Sequence, residues 1–123
     1  MAHHKSVLRR KERRRNRSKK TSFAHSSRNR LVIHRSIKHI EAQIINDFDG
    51  HTLVSASSKS KVLKNSPKNS GSKIDISRKV GEELANKAKK EKIKSVVLDR
   101  NGYPYHGRVK AFVESVRKNG LNL

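Results

Sequence analysis

The chain has 123 residues, with 31 Lys and Arg against 10 Asp and Glu, and its formal net charge at pH 7 is +21. It has no cysteine, which excludes disulfides and thiolate metal sites. It also lacks the apolar run of about 18 residues that a membrane span needs, and the start has no apolar segment typical of a secretory signal. A chain of this length fits one domain, and its basic charge indicates a polyanionic partner.

The first thirty residues are the most basic part of the chain, with twelve Lys and Arg and one acid, Glu12. Charges this dense repel one another in water, and the segment has too few apolar residues to pack a core. We predict a basic arm over residues 1–29, helical around Ser6–Lys20 once phosphates neutralise it, and a folded domain over 30–123. The alternatives for this basic segment are a solvated disordered tail, a nuclear localisation signal and an organelle transit peptide. Residues 31–123 are also basic, with nineteen Lys and Arg against nine acids, which favours a nucleic-acid contact.

Three strands are predicted after the arm. Leu31–Arg35 is rich in β-branched residues, and Ile40–Ile44 alternates apolar with polar residues. Thr52–Ser57 is the third strand, and the turn residues Asn46–Gly50 before it predict an antiparallel hairpin. The low-complexity segment Ser57–Lys73 predicts a long exposed loop.

Two helices and a fourth strand follow. The first helix begins with Ser72 or Asp75 as its cap, and Ser95–Asp99 is a short apolar run typical of a strand covered on both faces. The second helix is predicted over Arg108–Asn119. The residues spaced to face inward from the two helices are Ile76, Val80, Leu84, Ala85, Ala88, Val109, Phe112, Val113 and Val116.

The resulting order, β-β-β-α-β-α, predicts an α/β fold in which helices pack on a small mixed sheet. The third and fourth strands are expected to run parallel, because a helix connects them through a right-handed crossover.

A cluster of basic and imidazole side chains surrounds the first predicted strand and the turn after it. Its members are Arg30, His34, Arg35, Lys38 and His39. Positive side chains beside a sheet suit phosphates and 2′-hydroxyls. The alternatives are an ordinary polar strand end and a histidine metal pair, although no third ligand follows nearby.

Asp47, Asp49 and Asp99 are the acids that a two-metal nuclease site would need, and such a site requires several converging carboxylates. Asp47 and Asp49 flank Phe48 in a turn that ends at Gly50, where Asp commonly makes local hydrogen bonds. We therefore predict a structural turn there. Asp99 is expected to hold Arg100 or the next loop in place.

The loop between the fourth strand and the second helix combines two tyrosines, a histidine and arginines with glycines. Such a loop can stack on a base or sugar and hold phosphate at a helix N-terminus. The alternative is that the tyrosines close the core. That alternative stays open for Tyr103, whereas Tyr105 and His106 beside Gly107 are less typical of a core.

Several segments together resemble one family, the bacterial-type large-subunit ribosomal protein eighteen. The resemblance covers nearly the whole chain in order, and Tyr105–Ala111 is its most specific motif. The other matching segments are Arg30–Ser36, Lys38–Gln43, Thr52–Ser57, Val80–Gly81, Asp99–Arg100 and Gly120–Leu121. The chain departs from the family at Glu41, where an aromatic is frequent, at Phe112–Ser115 and at Leu123, and the last two changes are expected to compensate in packing.

The resemblance implies a protein without enzymatic activity, cofactor or small-molecule substrate, with ribonuclease-H-like topology. It implies binding to 5S rRNA and attachment of that RNA to 23S rRNA in the central protuberance, near large-subunit ribosomal protein five. A cytoplasmic, ribosome-bound location is expected ahead of an organellar one. The implied RNA contacts are Arg9, Arg10, Arg13, Arg14, Arg17, Arg30, His34, Arg35, Lys38, His39, Ser57, Arg100, Tyr105, His106 and Arg108. The competing hypotheses are a general nucleic-acid architectural protein and a metal-dependent nuclease on the same fold.

Overall fold

The structure is a computed structural model that describes residues 2–18, 27–64 and 71–123. Four helices and four strands lie in these ranges. In chain order they are α1 (Ala2–Ser18), β1 (Asn29–Arg35), β2 (Ile40–Asn46), β3 (His51–Ser57), α2 (Lys61–Lys64), α3 (Lys73–Lys90), β4 (Val96–Asp99) and α4 (Arg108–Lys118). None of the described helices is long and apolar enough to cross a bilayer.

The strands form one mixed sheet in the order β3-β2-β1-β4. β1 and β2 pair antiparallel, as do β2 and β3, whereas β4 pairs parallel to β1. The predicted hairpin is therefore confirmed, and so is the α/β fold class with its small mixed sheet and packed helices. β3 and β4 run in the same direction, as expected, but they lie at opposite edges of the sheet.

The core lies between one face of the sheet and the helices α3 and α4. Alternate residues of β1 and β2, such as Leu31, Ile33 and Ile44, point into it, and Phe112 of α4 is fully buried there. Every core residue in the described ranges lies between Leu31 and Leu121, so α1 contributes none of them. The α/β domain thus closes its core without the arm.

Helix α3 begins with a capping box, so both residues proposed as its cap take part. The Ser72 hydroxyl accepts from the Asp75 backbone N–H at 3.3 Å, and the Asp75 carboxylate accepts from the Ser72 N–H at 3.2 Å. Further along, α3 crosses α4 at Gly81, where a β-carbon would lie 2.7 Å from the Phe112 carbonyl oxygen. Glycine is needed at this position because the two helices approach so closely.

Three sequence expectations need correction or lie partly outside the described ranges. β4 is covered only in part, because Val97 and Leu98, which point to opposite faces of the sheet, are each half-buried. The predicted loop Ser57–Lys73 contains α2, whose Leu63 is buried, and residues 65–70 lie outside the described ranges. The arm is helical from Ala2, earlier than expected, and residues 19–26 lie outside as well.

Two of the departures from the family pattern take part in packing. Phe112 is fully buried in the core, and Leu123 is partly buried and packs against that core. Both positions therefore contribute to packing, as expected.

Candidate nucleic-acid interface

The basic helix α1 contacts the loop that follows β4. A β-carbon on Gly102 would lie 3.2 Å from the Arg15 backbone nitrogen and 3.5 Å from the Arg14 carbonyl carbon. Gly102 has φ +80° and follows Asn101, which has φ +53°, so the loop turns through two residues in the left-handed region. This turn brings the loop backbone against the backbone of α1.

Two open clefts flank that contact, and both are lined with cations. One, of about 500 Å³, we call the arginine cleft; its lining includes Arg14, Arg17, Asp99, Arg100, Tyr103 and Pro104. The other has about 610 Å³, and its lining includes Lys11, Arg15, His34, Arg35, Asn101 and Tyr103. The structure therefore joins arm residues and domain residues into one positive surface.

An ion cluster of Arg30, Asp47 and Asp99 borders this surface, since Asp99 lines the arginine cleft. The Arg30 guanidinium donates to the Asp47 carboxylate at 2.9 and 3.0 Å and to Asp99 Oδ2 at 2.7 Å. The hydrogen bond to Asp47 is the main cause that raises the pKa of Arg30 above its usual value. Asp99 is almost fully buried, and its Oδ1 accepts from the Asn101 backbone N–H at 2.9 Å.

Of the two roles expected for Asp99, holding the next loop is confirmed. Its ion-pair partner, however, is Arg30 rather than Arg100, which is exposed. Parallel pairing explains the difference, since it sets Val32 of β1 opposite Asp99 and brings Arg30 within reach. Asp49 accepts from the Asn46 side chain at 3.0 Å, which confirms the local turn interpretation.

Tyr103 is a structural residue that fixes the end of β1. Its hydroxyl accepts from the Arg35 backbone N–H at 3.3 Å and donates to the Arg35 carbonyl at 3.2 Å. The Arg35 guanidinium also lies 5.1 Å from the centre of the Tyr103 ring. Tyr103 packs against the core, which decides the question that its sequence left open.

The Tyr105–Arg108 loop lies beside the β1–β2 turn. Arg108 donates to the Ser36 carbonyl at 2.8 Å, so the start of α4 is tied to that turn. Tyr105 and His106 are exposed, and the Tyr105 hydroxyl accepts from Arg117 at 3.3 Å. Gly107 caps α4 without a side-chain hydrogen bond to the first turn.

The β1–β2 turn presents a second basic group. Lys38 is exposed there, the His39 ring lies 3.1 Å from the Ser58 hydroxyl, and His34 is exposed nearby on β1. Ile37 at the tip is 81% exposed, although it is apolar. Within the described ranges no group of three His, Cys, Asp or Glu could hold a metal ion.

The remaining predicted contacts lie on α1 and at the end of β3. Arg9, Arg10 and Arg13 line a separate exposed part of α1 with Lys5 and Ser6. Ser57 shares a row across the open face of the sheet with Glu41 and His34, as the strand register sets them opposite one another. Glu41 therefore lies between Ser57 and His34, whereas Ser58, the residue after Ser57, contacts the His39 ring at 3.1 Å.

Sequence reasoning missed three residues of this surface: Lys11, Arg15 and Gly102. Lys11 and Arg15 sit in the same basic run as the chosen arginines, so composition alone did not separate them. The Asn101–Gly102 pair was a signal for a left-handed turn, yet only the folded chain brings α1 against it.

Comparison with known proteins identifies the family. Residues 5–123 match the model described as ribosomal L18 of archaea, bacteria, mitochondria and chloroplasts. The chain belongs to the ribosomal L18 family.

Three bacterial relatives illustrate the match, and each is named large ribosomal subunit protein uL18. The protein from Staphylococcus haemolyticus is 55% identical over 92 residues, which are 75% of this chain and 74% of the relative. The protein from Chloroherpeton thalassium is 48% identical over 117 residues, or 95% and 96% of the two chains. The one from Rhodopseudomonas palustris is 48% identical over 97 residues, or 79% and 80%.

Membership in the L18 family, with bacterial uL18 proteins as near relatives, makes this chain a structural component of the large ribosomal subunit. It is an RNA-binding protein of a ribonucleoprotein and serves in translation at the ribosome.

Proposed function

We propose that this L18-family protein binds 5S rRNA and helps attach it to 23S rRNA in the central protuberance, near large-subunit ribosomal protein five. The observation that carries the proposal is the contact between α1 and Gly102, which sets the basic helix beside Arg35 and Arg100. A ribosomal RNA site of this kind needs both dense positive charge and a rigid shaped surface, and the two meet at this contact.

The arm and the domain have different tasks in this proposal. Eight Lys and Arg lie in residues 2–18 with a single acid, so α1 supplies charge that any polyanion can use. An A-form helix hides its bases in a deep major groove, so the α/β domain recognises backbone path, loops and splayed bases. The domain residues assigned to RNA are His34, Arg35, Lys38, His39, Ser57, Arg100, Tyr105, His106 and Arg108, and those of the arm are Arg9, Arg10, Arg13, Arg14 and Arg17.

Arg30 has a different part within the same site. Its guanidinium donates through all three nitrogens to Asp47 and Asp99. We assign it to positioning, because these bonds orient the strand that carries His34 and Arg35.

We further propose that the protein has no enzymatic activity. We also propose that it is bound to ribosomes in the bacterial cytoplasm. Its bacterial relatives support the location. The three aspartates considered for a nuclease make hydrogen bonds with Arg30 or Asn46, which supports a structural role for each.

The test compares binding to 5S rRNA with binding to duplex DNA of equal length at fixed salt. We expect tighter binding to 5S rRNA, and we expect Arg35→Ala with Arg108→Ala to reduce that preference. Each desolvated charged contact should contribute about 1.5–3 kcal/mol. Lys89→Ala with Lys90→Ala is the control, since it removes the same charge from exposed positions at the end of α3.

The principal alternative is a general nucleic-acid architectural protein, which the charge of α1 alone would support. It predicts equal affinity for 5S rRNA and duplex DNA. Circular dichroism must accompany the comparison, because Arg35 covers the Tyr103 ring and Arg108 holds the Ser36 carbonyl. Equal affinities for the two nucleic acids would reject the 5S proposal.

A further inference from the structure

The arginine cleft lies where α1 crosses the loop after β4. It is open to solvent and has a volume of about 500 Å³, which falls within the range of small-ligand sites, about 300–1,000 Å³. A single phosphate with its sugar fits such a space. Tyr103 and Pro104 form a wall, and the polar side chains come from both sides of the cleft.

The charges lining the cleft are predominantly positive. Arg14 and Arg17 come from α1, and Arg100 comes from the loop. The acid that lines it, Asp99, already accepts from Arg30 at 2.7 Å and from a backbone N–H at 2.9 Å. Its negative charge is therefore balanced within the domain. Guanidinium groups bind phosphate oxygens through paired N–H donors, so this lining suits a phosphodiester.

Gly102 allows the close approach of α1 to the loop that lines the cleft. A methyl group at this position would lie 3.2 Å from the Arg15 nitrogen and 3.4 Å from the Arg15 α-carbon, both of them backbone atoms. These are atoms of the α1 backbone, so the tight contact at 3.2 Å is relieved only if α1 or the loop itself shifts. A residue larger than glycine would therefore loosen the contact between α1 and the loop, and would also be strained at φ +80°.

We propose that the arginine cleft is a phosphodiester-binding site shared by α1 and the α/β domain, and that Gly102 assembles it. The ligand is one linkage of an RNA backbone, so the inference rests on the proposed RNA-binding function. Arg17 and Arg100 act on the same phosphate, and α1 is ordered against the domain before RNA arrives. Helix α1 then forms one side of the binding site and does not act as an independent basic tail.

The first experiment is a double-mutant cycle on the full chain. Arg17→Gln and Arg100→Gln should each weaken RNA binding about tenfold, which is the loss of one charged hydrogen bond. Because both residues hold one phosphate, the double variant should weaken RNA binding by about the same factor as either single variant. It should not weaken binding by about a hundredfold, which is the product of two independent effects. Arg9→Gln with Arg100→Gln is the matched control, since Arg9 lies on another part of α1 and its effect should multiply with that of Arg100. Independent effects of Arg17 and Arg100 would overturn the proposal.

The second experiment tests Gly102, both in the free protein and in RNA binding. Gly102→Ala should speed amide hydrogen exchange in residues 9–17, and it should make the effects of Arg17→Gln and Arg100→Gln on RNA affinity independent. Gly50→Ala is the matched control, because Gly50 has a similar φ of +64° but no atom within 4 Å of its added carbon. It should leave both results unchanged. Unaltered exchange and unaltered coupling in Gly102→Ala would contradict the assembling role of Gly102.

Both experiments use 5S rRNA and, separately, a generic RNA hairpin at the same salt concentration. Coupling of Arg17 with Arg100 on both RNAs, without any preference for 5S rRNA, would support the cleft and reject the 5S proposal. A preference for 5S rRNA with independent effects of the two arginines would reject the cleft alone. The first cycle keeps Gly102 and changes only exposed charges, so it tests the cleft even if Gly102→Ala fails to fold.

Discussion

Tyr103 and Arg35 are joined by two hydrogen bonds through a single hydroxyl, which accepts from the Arg35 N–H and donates to the Arg35 carbonyl. The two residues are 68 positions apart in sequence. The hydroxyl thus replaces a strand partner at the end of β1 and ties the β4–α4 loop to it. The same loop carries Gly102, the residue next to Tyr103, at which α1 contacts the domain.

Removing that hydroxyl should destabilise the fold. Tyr103→Phe leaves the Arg35 N–H and carbonyl without their partner, and we expect a loss of about 1–2 kcal/mol in the free energy of unfolding. Tyr105→Phe is the control, since its exposed hydroxyl accepts only a 3.3 Å bond from Arg117, and should change stability by about 0.5 kcal/mol or less. Urea denaturation measures both. Equal effects would show that the Tyr103 hydroxyl has no special structural role.

The Arg30–Asp99 pair should contribute more to stability than the exposed turn. Asp99→Asn sets an amide against the Arg30 guanidinium in a nearly buried position, and we expect a loss of about 2–3 kcal/mol. Asp49→Asn in the exposed turn should change stability by about 0.5 kcal/mol or less. Thermal unfolding followed by circular dichroism gives the comparison.

The same aspartate variants test whether the protein cleaves RNA. We expect no cleavage by the natural chain or by either variant, with or without a divalent cation. Metal-dependent cleavage that disappears in Asp99→Asn would reject the non-catalytic function. A gel assay of labelled RNA over several hours is sufficient.

The capping box predicts a defined dependence of stability on pH. The Ser72 hydroxyl, then the Ser72 backbone N–H, lowers the pKa of Asp75 below its usual 3.8. A lowered pKa in the folded state stabilises the protein above pH 3.8, and this contribution disappears as pH falls through the lower folded value. The difference in melting temperature between the natural chain and Asp75→Asn should therefore be constant near neutrality and shrink below about pH 4.

A second variant tests the cause of that pH dependence. Because the Ser72 hydroxyl is the largest cause of the shift, Ser72→Ala should bring the pKa of Asp75 closer to its usual value. We then compare the melting temperature of Ser72→Ala with that of the double variant Ser72→Ala with Asp75→Asn. This difference should shrink less at acid pH than the corresponding difference in the natural background. If the melting-temperature difference between the natural chain and Asp75→Asn stays constant down to pH 2, the lowered pKa of Asp75 does not contribute to stability.

The arm should determine the salt dependence of RNA binding. Arg9→Gln, Arg10→Gln and Arg13→Gln together should make the slope of log affinity against log salt shallower by about 0.7–0.9 for each phosphate that is no longer neutralised. Deleting residues 1–20 should flatten it further while the domain stays folded, because the core lies within Leu31–Leu121. Lys89→Gln, Lys90→Gln and Lys94→Gln remove the same charge elsewhere and should leave the slope unchanged. An unaltered slope in the arm variants would place the electrostatic contact on the domain.

The sequence by itself determined the local structure of this protein. Period-two alternation in Ile40–Ile44 and helical spacing from Val109 to Val116 each depend on which neighbours in the chain share a face, so both patterns predicted their elements and the buried residues. The basic arm was evident from composition, since charge density needs no fold. The family was recognisable from the order of short motifs, of which Tyr105–Ala111 is the most specific.

Only the tertiary structure decided the contacts between distant parts of the chain. Asp99 pairs with Arg30 because β4 lies parallel to β1, and neither residue's sequence neighbours indicate that register. Tyr103 belongs to the core side of its loop because Arg35 lies opposite its hydroxyl. The approach of α1 to Gly102 depends on a left-handed turn 87 positions after Arg15, and so composition predicted the charge of the arm but not its place on the domain. Pairings at such separations arise from how the sheet closes and the helices pack, and local propensity carries no information about them.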